Sequence, residues 1–271
     1  MDRYVVIGNP VAHSLSPRIH ALFAKQLGET LEYATLVAPR DDFASAARAF
    51  FDGGGRGANV TLPFKLDALR FASRASDRAR LAGAANFLAS RAGIIEADNT
   101  DGAGLVSDLT RNLRATIAGS NVLLLGAGGA SRGVIAPLLA QRPARLVVAN
   151  RTLDKARDLA AHFANLGNIV AAPLDAIPGG EYGIVVNATS TSVRGEPLRL
   201  PAHVADARGL AYDMAYGDAA RAFLEHARGA GMRASDGLGM LVEQAAESFE
   251  LWRGRRPATA AVLAELRARR P

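Results

Sequence analysis

The fold is decided by the stretch Val122–Gly133, which reads VLLLGAGGASRG. A short aliphatic run leads into a glycine turn, and a helical pattern follows from Ala130 towards Leu139. A strand, a glycine turn and a helix, in that order, form the context in which G-x-G-x-x-[GA] binds the pyrophosphate of a dinucleotide. The stretch therefore predicts a βα unit of the Rossmann type.

The glycines of this stretch have distinct expected roles. Gly126 allows the tight turn, and Gly128 lets the backbone approach the phosphates, while the N-terminus of the helix offers N–H groups to an anion. Ser131 stands at the third position of the motif and fits it less closely than glycine, although Gly129 and Gly133 keep the turn open. An ordinary glycine-rich turn between strand and helix is the alternative interpretation.

Length and composition indicate a soluble protein of two domains. The chain has 271 residues, of which 49% are hydrophobic, a formal charge of +6 and no cysteine, so a packed core is expected and disulfides are excluded. The arginines are scattered apart from clusters at Arg253–Arg256 and Arg267–Arg270. No aromatic residues interleave with these clusters, so we expect solvated surfaces and no binding to nucleic acid.

The sequence also argues against a membrane protein. The apolar run near the N-terminus is short and ends at Gly8-Asn9-Pro10, which does not fit a signal peptide, and no apolar run is long enough to cross a bilayer. We expect a cytoplasmic protein that has no membrane contact.

Residues before the glycine motif predict a separate α/β region. Tyr4–Ile7 and Leu31–Val37 read as strands, and Ser16 reads as the N-cap of a helix that begins at Pro17. Further expected elements are the helix Phe43–Phe51, a strand near Gly57–Val60 that turns into a helix at Pro63, short strands at Ala84–Leu88 and Ile94–Ile95, and a helix capped by Thr100 or Asp101.

Strands and helices then alternate, which predicts a doubly wound parallel sheet. The expected strands are Asn121–Leu125, Arg145–Ala149, Ile169–Ala171, Ile184–Val186 and Leu210–Asp213, with helices at Gly129–Leu139 and Leu153–Phe163. After Gly237 two helices follow. We predict a nucleotide domain over 102–236 and an α/β substrate domain over 1–101 that residues 237–271 complete.

The end of the second strand of the nucleotide domain indicates which dinucleotide binds. An acidic residue there binds the ribose 2′-hydroxyl of NAD, but this strand ends in Asn150-Arg151-Thr152. The guanidinium of Arg151 suits a 2′-phosphate, with Lys155 one turn further on, and this favours NADP. A simple helix cap formed by Asn150 or Thr152 is compatible with that role.

Isolated polar residues of the first domain lie at the ends of predicted elements, where ligand groups of sheet-edge clefts are found. Hydroxyls, amides, one cation and one carboxylate suit a small polyhydroxylated anion with an oxidisable carbinol. These residues are Ser14, Ser16, Asn59, Thr61, Lys65, Asn86 and Asp101. Each has an ordinary structural alternative as a cap, a turn residue or a solvated side chain.

Over nearly its whole length the chain resembles the shikimate dehydrogenase family. The matching stretches are Gly8–Pro17, Ala58–Lys65, Asn99–Gly102, Gly126–Gly133, Asn150–Thr152, Asn187–Ser190 and Asp236–Ala245. The stretches that contain Lys65 and Asp101 are the most specific. The chain departs from the family pattern at Phe87, where threonine is usual after Asn86, at Ala97, where glycine is common before Asp98, and at Ser192, where glycine is frequent.

The resemblance implies a set of site residues. Ser14 and Ser16 correspond to residues that bind the substrate carboxylate, and Lys65 corresponds to the catalytic lysine, with Asp101 as its acid–base partner. Positions that hold ring hydroxyls are Asn59, Thr61, Asn86, Asp101 and Gln244, with Tyr216 nearby. Cofactor positions are Gly126, Ala127, Gly128, Gly129, Ala130, Asn150, Arg151, Thr152, Lys155, Thr189, Met214 and Gly237. No metal site is predicted.

The activity implied is the reversible reduction of 3-dehydroshikimate to shikimate with NADPH, a step of aromatic amino acid biosynthesis. An NAD-preferring quinate/shikimate dehydrogenase is an alternative, and a nucleotide-binding module without catalysis is a remote one. The sequence leaves open whether the protein is a monomer or a homodimer.

Overall fold

The structure is a computed structural model that describes residues 1–191, 198 and 200–268, without the side chains at 202 and 205–208. The chain divides into two compact units, one comprising Met1–Gly104 with Leu241–Pro271 and the other comprising Leu105–Met240. Ser192, one of the departures from the family pattern, lies outside the described residues. Each unit contains its own sheet and core.

The first unit begins with alternating strands and helices. These elements are β1 (Asp2–Gly8), α1 (Ser16–Leu27), β2 (Leu31–Val37), α2 (Phe43–Asp52), β3 (Gly55–Val60), α3 (Lys65–Phe71), β4 (Arg74–Ala75), α4 (Asp77–Ala82), β5 (Phe87–Arg91), β6 (Ile94–Asp98) and α5 (Asp101–Ser107). The sequence patterns predict the longer elements, although the strand expected at Ala84–Leu88 begins only at Phe87. The elements β4 and α4 are too short to produce a clear period.

The sheet of the first unit is mixed, in the order β2-β1-β3-β5-β6-β4. The pairs β1/β2, β1/β3 and β4/β6 are parallel, and β5 is antiparallel to both β3 and β6. The turn between β5 and β6 has positive φ at Ala92 (50°) and Gly93 (79°), which matches the twist of a tight hairpin. Asn59 pairs with Phe87 in this sheet, so β3 and β5 set the distance between two candidate site residues, Asn59 and Asn86.

The second unit is an open parallel sheet with helices between its strands. After a π-helical turn (Asp108–Asn112) come β7 (Asn121–Leu125), α6 (Gly129–Ala140), β8 (Arg145–Asn150), α7 (Leu153–Phe163), β9 (Ile169–Pro173), β10 (Tyr182–Asn187), β11 (Ala205–Asp213), α8 (Asp218–Gly229) and β12 (Arg233–Asp236). The strand order is β12-β11-β10-β7-β8-β9. Every pair is parallel, so this is the doubly wound 3-2-1-4-5-6 order of dinucleotide-binding folds, and the predicted fold class is confirmed.

The last two helices, α9 (Leu238–Arg253) and α10 (Thr259–Ala268), lie mainly in the first unit. The indole of Trp252 on α9 donates from Nε1 to the carbonyl of Leu88 at 3.0 Å and stacks on Phe87, with ring centroids 5.0 Å apart. A Cβ atom on Gly57 would lie 2.2 Å from this indole. Phe87, the departure from the family pattern, is therefore a packing partner of α9.

Two local predictions are wrong. The residue preceding α1 is Leu15, whose carbonyl accepts from the N–H of Ile19 at 3.0 Å, so Ser16 is the first helical residue and not the N-cap. Pro63 does not open α3, because the first helical residue there is Lys65. In both places the helix boundary is set by backbone hydrogen bonds that residue preference alone does not reveal.

The arginines near the C-terminus are paired with acids. Arg253 forms ion pairs with Asp2 and Glu29, and Arg256 contacts Glu247 at 2.6 Å and Glu250 at 3.0 Å. Arg253, which is half-buried, ties α9 to β1 and to the segment after α1, whereas Arg255 and Arg256 are exposed, as expected of a solvated surface. In the second cluster, residues 269 and 270 lie outside the described part of the chain. Among the helices of the described part, none has the length and apolar character to cross a bilayer.

Candidate functional site

Lys65 and Asp101 form an ion pair in the first unit. The Nζ atom of Lys65 lies 2.6 Å from Oδ2 of Asp101, and the exposed fractions of the two side chains are 12% and 6%. The backbone also holds Lys65 in place, because its carbonyl accepts from the N–H of Ala85 at 2.8 Å. The N–H of Asp101 donates to Oδ1 of Asn99 at 3.1 Å. An amine and a carboxylate are thus fixed together with little access to water.

Asn86 connects this ion pair to neighbouring polar groups. Its Nδ2 atom lies 2.9 Å from Oδ1 of Asp101, 2.9 Å from Oγ1 of Thr100 and 3.1 Å from Oε1 of Gln244. Its Oδ1 atom accepts from the backbone N–H of Thr100 at 2.7 Å. Asn86 and Gln244 are buried, and buried polar groups that are all satisfied hold one another rigidly.

Asn59 extends the same network from the end of β3. Its Nδ2 atom donates to Oγ of Ser248 at 2.9 Å and to the carbonyl of Asn86 at 3.2 Å. Its Oδ1 atom accepts from the hydroxyl of Tyr33 at 2.8 Å. Ser248 also contacts Oγ1 of Thr100 at 3.2 Å. The structure therefore brings together Asn59, Lys65, Asn86, Asp101 and Gln244 of the predicted substrate set.

Ser14 and Ser16 lie at the start of α1. Oγ of Ser14 accepts from the backbone N–H of Ser16 at 3.2 Å. Thr61 follows β3 and is fixed by its backbone, which donates to the carbonyl of Ile7 at 2.9 Å. Tyr216 belongs to the second unit, after β11. The structure thus places Tyr216 in a different unit from the other predicted substrate residues.

His20, one turn after Ser16 on α1, is buried and neutral. Its ring stacks on Tyr33, with centroids 4.2 Å apart and an angle of 6°. Burial lowers the pKa of His20 to about 3 from an ordinary value of 6.5, against a smaller opposite effect of the Asn59 side chain. Neither ring nitrogen has a hydrogen-bond partner among the described residues. This imidazole therefore places no charge beneath the network at neutral pH.

In the second unit, the predicted cofactor residues all lie at or after the carboxyl ends of parallel strands. The glycine turn follows β7, Asn150 ends β8 with Arg151 directly after it, Thr189 follows β10, Met214 follows β11 and Gly237 follows β12. This edge of a doubly wound sheet is where ligands bind, at the point where the strand order reverses. In the observed order that point lies between β7 and β10.

The glycine turn has the geometry that an anion site needs. Gly126 has a φ of 105°, and a Cβ atom there would lie 3.1 Å from the backbone of Ala188. Gly128 precedes α6 with open space around it, and the described residues provide no side-chain cap for this helix. The N–H groups at the start of α6 can therefore face a phosphate. Ser131 fits the third position because its hydroxyl donates to the carbonyl of Gly126 at 2.8 Å.

The tip of β8 leaves its cation exposed. Arg151 and Lys155 are both exposed. Thr152 occupies the N-cap position of α7, but its side chain makes no capping bond within the described chain. Nδ2 of Asn150 donates to the carbonyl of Thr152 at 2.8 Å. Thr152 therefore holds the N-cap position without the side-chain bond that the capping alternative requires, and Arg151 lies exposed at the tip of β8.

A buried acid orders the loops after β10 and β11. Oδ2 of Asp213 accepts from Nδ2 of Asn187 at 2.9 Å, and its Oδ1 accepts from the N–H of Ala215 at 2.8 Å. Asn187 in turn accepts from the backbone and hydroxyl of Thr189 at 3.1 Å and 2.7 Å. A Cβ atom on Gly237 would lie 2.4 Å from the carbonyl oxygen of Met214. Thr189, Met214 and Gly237 are thus held in fixed positions.

Sequence reasoning missed several residues of the network in the first unit, namely Tyr33, Asn99, Thr100 and Ser248. Asn99 and Thr100 adjoin Asp101 in a motif that the sequence shows, so their position was a usable signal. Ser248 lies one helical turn after Gln244, and its hydroxyl donates to the carbonyl of Gln244 at 3.0 Å. Tyr33 gives no signal, because it sits in an alternating strand like many others.

Comparison with known families covers most of the chain. Residues 6–88 match the family described as shikimate dehydrogenase substrate binding domain. Residues 108–195 match shikimate / quinate 5-dehydrogenase, and residues 237–267 match shikimate 5'-dehydrogenase C-terminal domain. The three matches follow the chain in order and include the Lys65 and glycine-turn motifs.

Individual relatives support the same family. A protein of Dechloromonas aromatica named shikimate dehydrogenase (NADP(+)) is 53% identical over 99% of this chain and 98% of its own length. The structure of an Ael1 enzyme from Pseudomonas putida superposes with a TM-score of 0.91 at 46% identity, covering 98% of both chains. Shikimate 5-dehydrogenase from Thermus thermophilus, solved with NADP(H) and shikimate, gives a TM-score of 0.83 at 31% identity and 99% coverage of both. On the strength of its sequence motifs, its two sheets and these matches, the chain belongs to the shikimate dehydrogenase family.

Proposed function

We propose that this protein catalyses the reversible NADPH-dependent reduction of 3-dehydroshikimate to shikimate, a step of aromatic amino acid biosynthesis. The observation that carries the proposal is the buried pair of Lys65 and Asp101, which accepts a hydrogen bond from the amide of Asn86, itself bonded to Gln244. This arrangement supplies a proton donor and several groups that can hold hydroxyls. The names of the relatives point to the same reaction.

Lys65 supplies the proton. NADPH, when bound, provides a hydride for the carbonyl carbon of the substrate, and the oxygen left behind needs a proton. The ammonium group of Lys65 donates it, and in the reverse direction the neutral amine accepts it. Asp101 orients this amine at 2.6 Å, and its second oxygen, which accepts from Asn86 at 2.9 Å, has a further lone pair for a substrate hydroxyl. A positioned acid of this kind contributes about 100- to 10,000-fold in rate.

The remaining polar residues of the first unit bind the substrate. The hydroxyls of Ser14 and Ser16, at the start of α1, bind the carboxylate. The ring hydroxyls are held by a set comprising Asn59, Thr61, Asn86, Asp101 and Gln244. Tyr216 is a further candidate substrate contact, on the strength of the family resemblance. We assign residues 1–101 and 237–271 to the substrate domain and residues 102–236 to the NADP-binding domain.

NADP fits the groups at the sheet edge of the second unit. The turn formed by Gly126, Ala127, Gly128, Gly129 and Ala130 binds the pyrophosphate at the uncapped start of α6. Arg151 binds the 2′-phosphate, together with Asn150, Thr152 and Lys155. Thr189, Met214 and Gly237 line the cofactor further along. No carboxylate stands at the tip of β8, where an enzyme for NAD would use one.

A second candidate is oxidation of quinate, favoured by one observation: the family that matches residues 108–195 is named for both shikimate and quinate. Quinate shares the carboxylate and the ring hydroxyls, so the same side chains could hold it. The exposed Arg151 favours NADP over NAD for either substrate.

We propose that the enzyme works in the cytoplasm as a monomer or a homodimer.

A spectrophotometric assay tests the proposal. Purified protein is given NADP or NAD with shikimate or quinate, and reduction of the nicotinamide is followed by its absorbance. We expect the highest kcat/KM for shikimate with NADP. A higher kcat/KM for quinate or for NAD would show that shikimate with NADP is not the preferred pair of substrate and cofactor. Absence of reduction in all four combinations would overturn the proposed reaction.

A further inference from the structure

We propose that Tyr33 is a positioning residue of the substrate site, because its hydroxyl fixes the side-chain amide of Asn59 so that Asn59 offers a bound substrate only a hydrogen-bond acceptor. The inference rests on the proposed function, in which Asn59 holds a ring hydroxyl. It adds a residue outside the predicted site and a direction to one hydrogen bond.

The neighbours of Asn59 identify which atom of its side-chain amide is the nitrogen and which is the oxygen. Nδ2 lies 3.2 Å from the main-chain oxygen of Asn86, and a carbonyl oxygen only accepts, so the atom facing it is the nitrogen. The second N–H points to Oγ of Ser248 at 2.9 Å. Ser248 accepts this bond, because its own hydrogen goes to the carbonyl of Gln244. Both hydrogens of the amide are therefore used inside the protein.

The oxygen of the same amide is held by Tyr33. The Tyr33 hydroxyl lies 2.8 Å from Oδ1 of Asn59, and since the amide oxygen only accepts, the tyrosine donates. A carbonyl oxygen has two lone pairs. His20 lies near this amide, but neither of its ring nitrogens makes a hydrogen bond among the described residues, so the second lone pair of Asn59 is left for a ligand. Asn59 can accept from a substrate hydroxyl through that lone pair but has no hydrogen left for a substrate carboxylate or ketone.

The surroundings of Tyr33 keep its hydroxyl protonated, so that it remains a hydrogen-bond donor. Burial raises the pKa of Tyr33 well above its ordinary value, and the neighbouring Ser16 hydroxyl opposes this only partly, so the phenol stays protonated at neutral pH. Its ring stacks on His20, which is neutral at that pH. Tyr33 thus lies beside Ser16, expected to bind the carboxylate, and bonds to Asn59, expected to bind a hydroxyl. One phenol links the two parts of the substrate site.

The chain offers a matched control for removing this hydroxyl. Tyr4 on β1 is the register partner of Tyr33 on β2, and its ring packs against Trp252 with centroids 4.7 Å apart. The Tyr4 hydroxyl faces Arg253, at 3.4 Å. Tyr33→Phe and Tyr4→Phe therefore remove the same atom from neighbouring positions of one aromatic cluster, and only the first change affects Asn59.

The test is a double-mutant cycle on Tyr33→Phe and Asn59→Ala, with Tyr4→Phe as the control. We expect Tyr33→Phe to raise the KM for shikimate about three- to tenfold, the value of one neutral hydrogen bond. The kcat should change less than twofold and the KM for NADP should not change. Tyr4→Phe should leave all three constants as in the wild type. In the Asn59→Ala background, Tyr33→Phe should cause no further loss, since it acts through Asn59.

The outcomes separate this inference from the proposed function. A wild-type KM in Tyr33→Phe, or a full second loss in the Asn59→Ala background, overturns the role of Tyr33 and leaves the reaction intact. Failure of the wild type to oxidise shikimate overturns the reaction and the inference with it. If Tyr33→Phe does not fold, Ser248→Ala removes a different bond from the same amide. We then expect Ser248→Ala to raise the KM for shikimate to the same extent in the otherwise wild-type protein and to cause no further loss in the Asn59→Ala background. A full additional loss in that background refutes the proposal.

Discussion

Lys65 and Asp101 are each the first residue of a helix, and their side chains meet at 2.6 Å. The N-terminus of a helix disfavours a cation and favours an anion, so the lysine stands in an unfavourable place that the carboxylate offsets. The carboxylate thereby fixes the position of the amine that the proposed function assigns as the proton donor.

Lys65→Ala should lower kcat for shikimate oxidation by about 100- to 10,000-fold, because the positioned acid–base group is lost. Affinity for shikimate should change little, since the hydroxyl-binding amides remain. Steady-state kinetics and calorimetric binding of shikimate measure the two effects. Lys25→Ala, at an exposed position of α1, is the control and should behave as the wild type. Wild-type turnover in Lys65→Ala would remove Lys65 from the mechanism.

Arg151→Ala should lower kcat/KM for NADP by about 10- to 100-fold, the value of a charge-assisted hydrogen bond to a phosphate. The constant for NAD should stay within twofold of the wild type, because NAD lacks the 2′-phosphate. Arg157→Ala is the matched control, since Arg157 lies on the next helix and pairs with Asp154 at 3.1 Å. Equal losses with both cofactors would show that Arg151 does not recognise the 2′-phosphate.

Gly126→Ala should lower stability, whereas Gly128→Ala should lower NADP affinity. The first places a side chain at a φ of 105° and against the backbone of Ala188, so the protein should lose on the order of 1 kcal/mol or more of stability. The second meets open space and should leave the melting temperature unchanged, while the new methyl group keeps the backbone from the pyrophosphate. Thermal unfolding and NADP titration separate the two cases. Unchanged NADP affinity in Gly128→Ala would contradict the assignment of the phosphate site.

His20 makes the first unit sensitive to acid. Its pKa is about 3 when folded and 6.5 ordinarily, so below pH 6.5 the unfolded chain binds one proton more and stability falls as pH decreases towards 3. Between pH 7 and pH 5 this histidine should cost about 2 kcal/mol. His20→Leu should remove that part of the loss.

Urea unfolding at the two pH values, followed by the fluorescence of Trp252, measures the effect of His20. Trp252 is the one tryptophan of the chain, and its ring lies 5.5 Å from that of His20. His13→Leu, at an exposed position, is the control. If wild type and His20→Leu lose the same stability between pH 7 and pH 5, the histidine is not held neutral in the folded protein.

The fold and the candidate cofactor residues were largely accessible from the sequence for a simple physical reason. Parallel strands put their carboxyl ends at one edge of the sheet, so residues that directly follow a predicted strand, such as Gly126, Arg151 and Thr189, must gather there. Alternation of strands and helices is visible in the local pattern, and the family resemblance gave the same arrangement.

The hydrogen-bond network around Asn59 could not be predicted from the sequence in this way. Its partners Tyr33 and Ser248 are 26 and 189 positions away in the sequence, and no local period brings them together. Ser248 depends on the return of α9 to the first unit, and Tyr33 depends on the register of β2 against β1. Donor and acceptor directions follow only when all these neighbours are known, so the inference about Tyr33 required the structure.

The first unit is assembled from both ends of the chain, Met1–Gly104 and Leu241–Pro271. Domains generally fold as units while the ribosome still makes the chain, but the strands β1 to β6 emerge long before the helix that carries Gln244 and Ser248. We expect the second unit to be finished first, although it starts later in the gene. The newborn protein would then bind its nucleotide before it could bind its substrate, and a premature stop codon near the end would spare the former ability and abolish the latter.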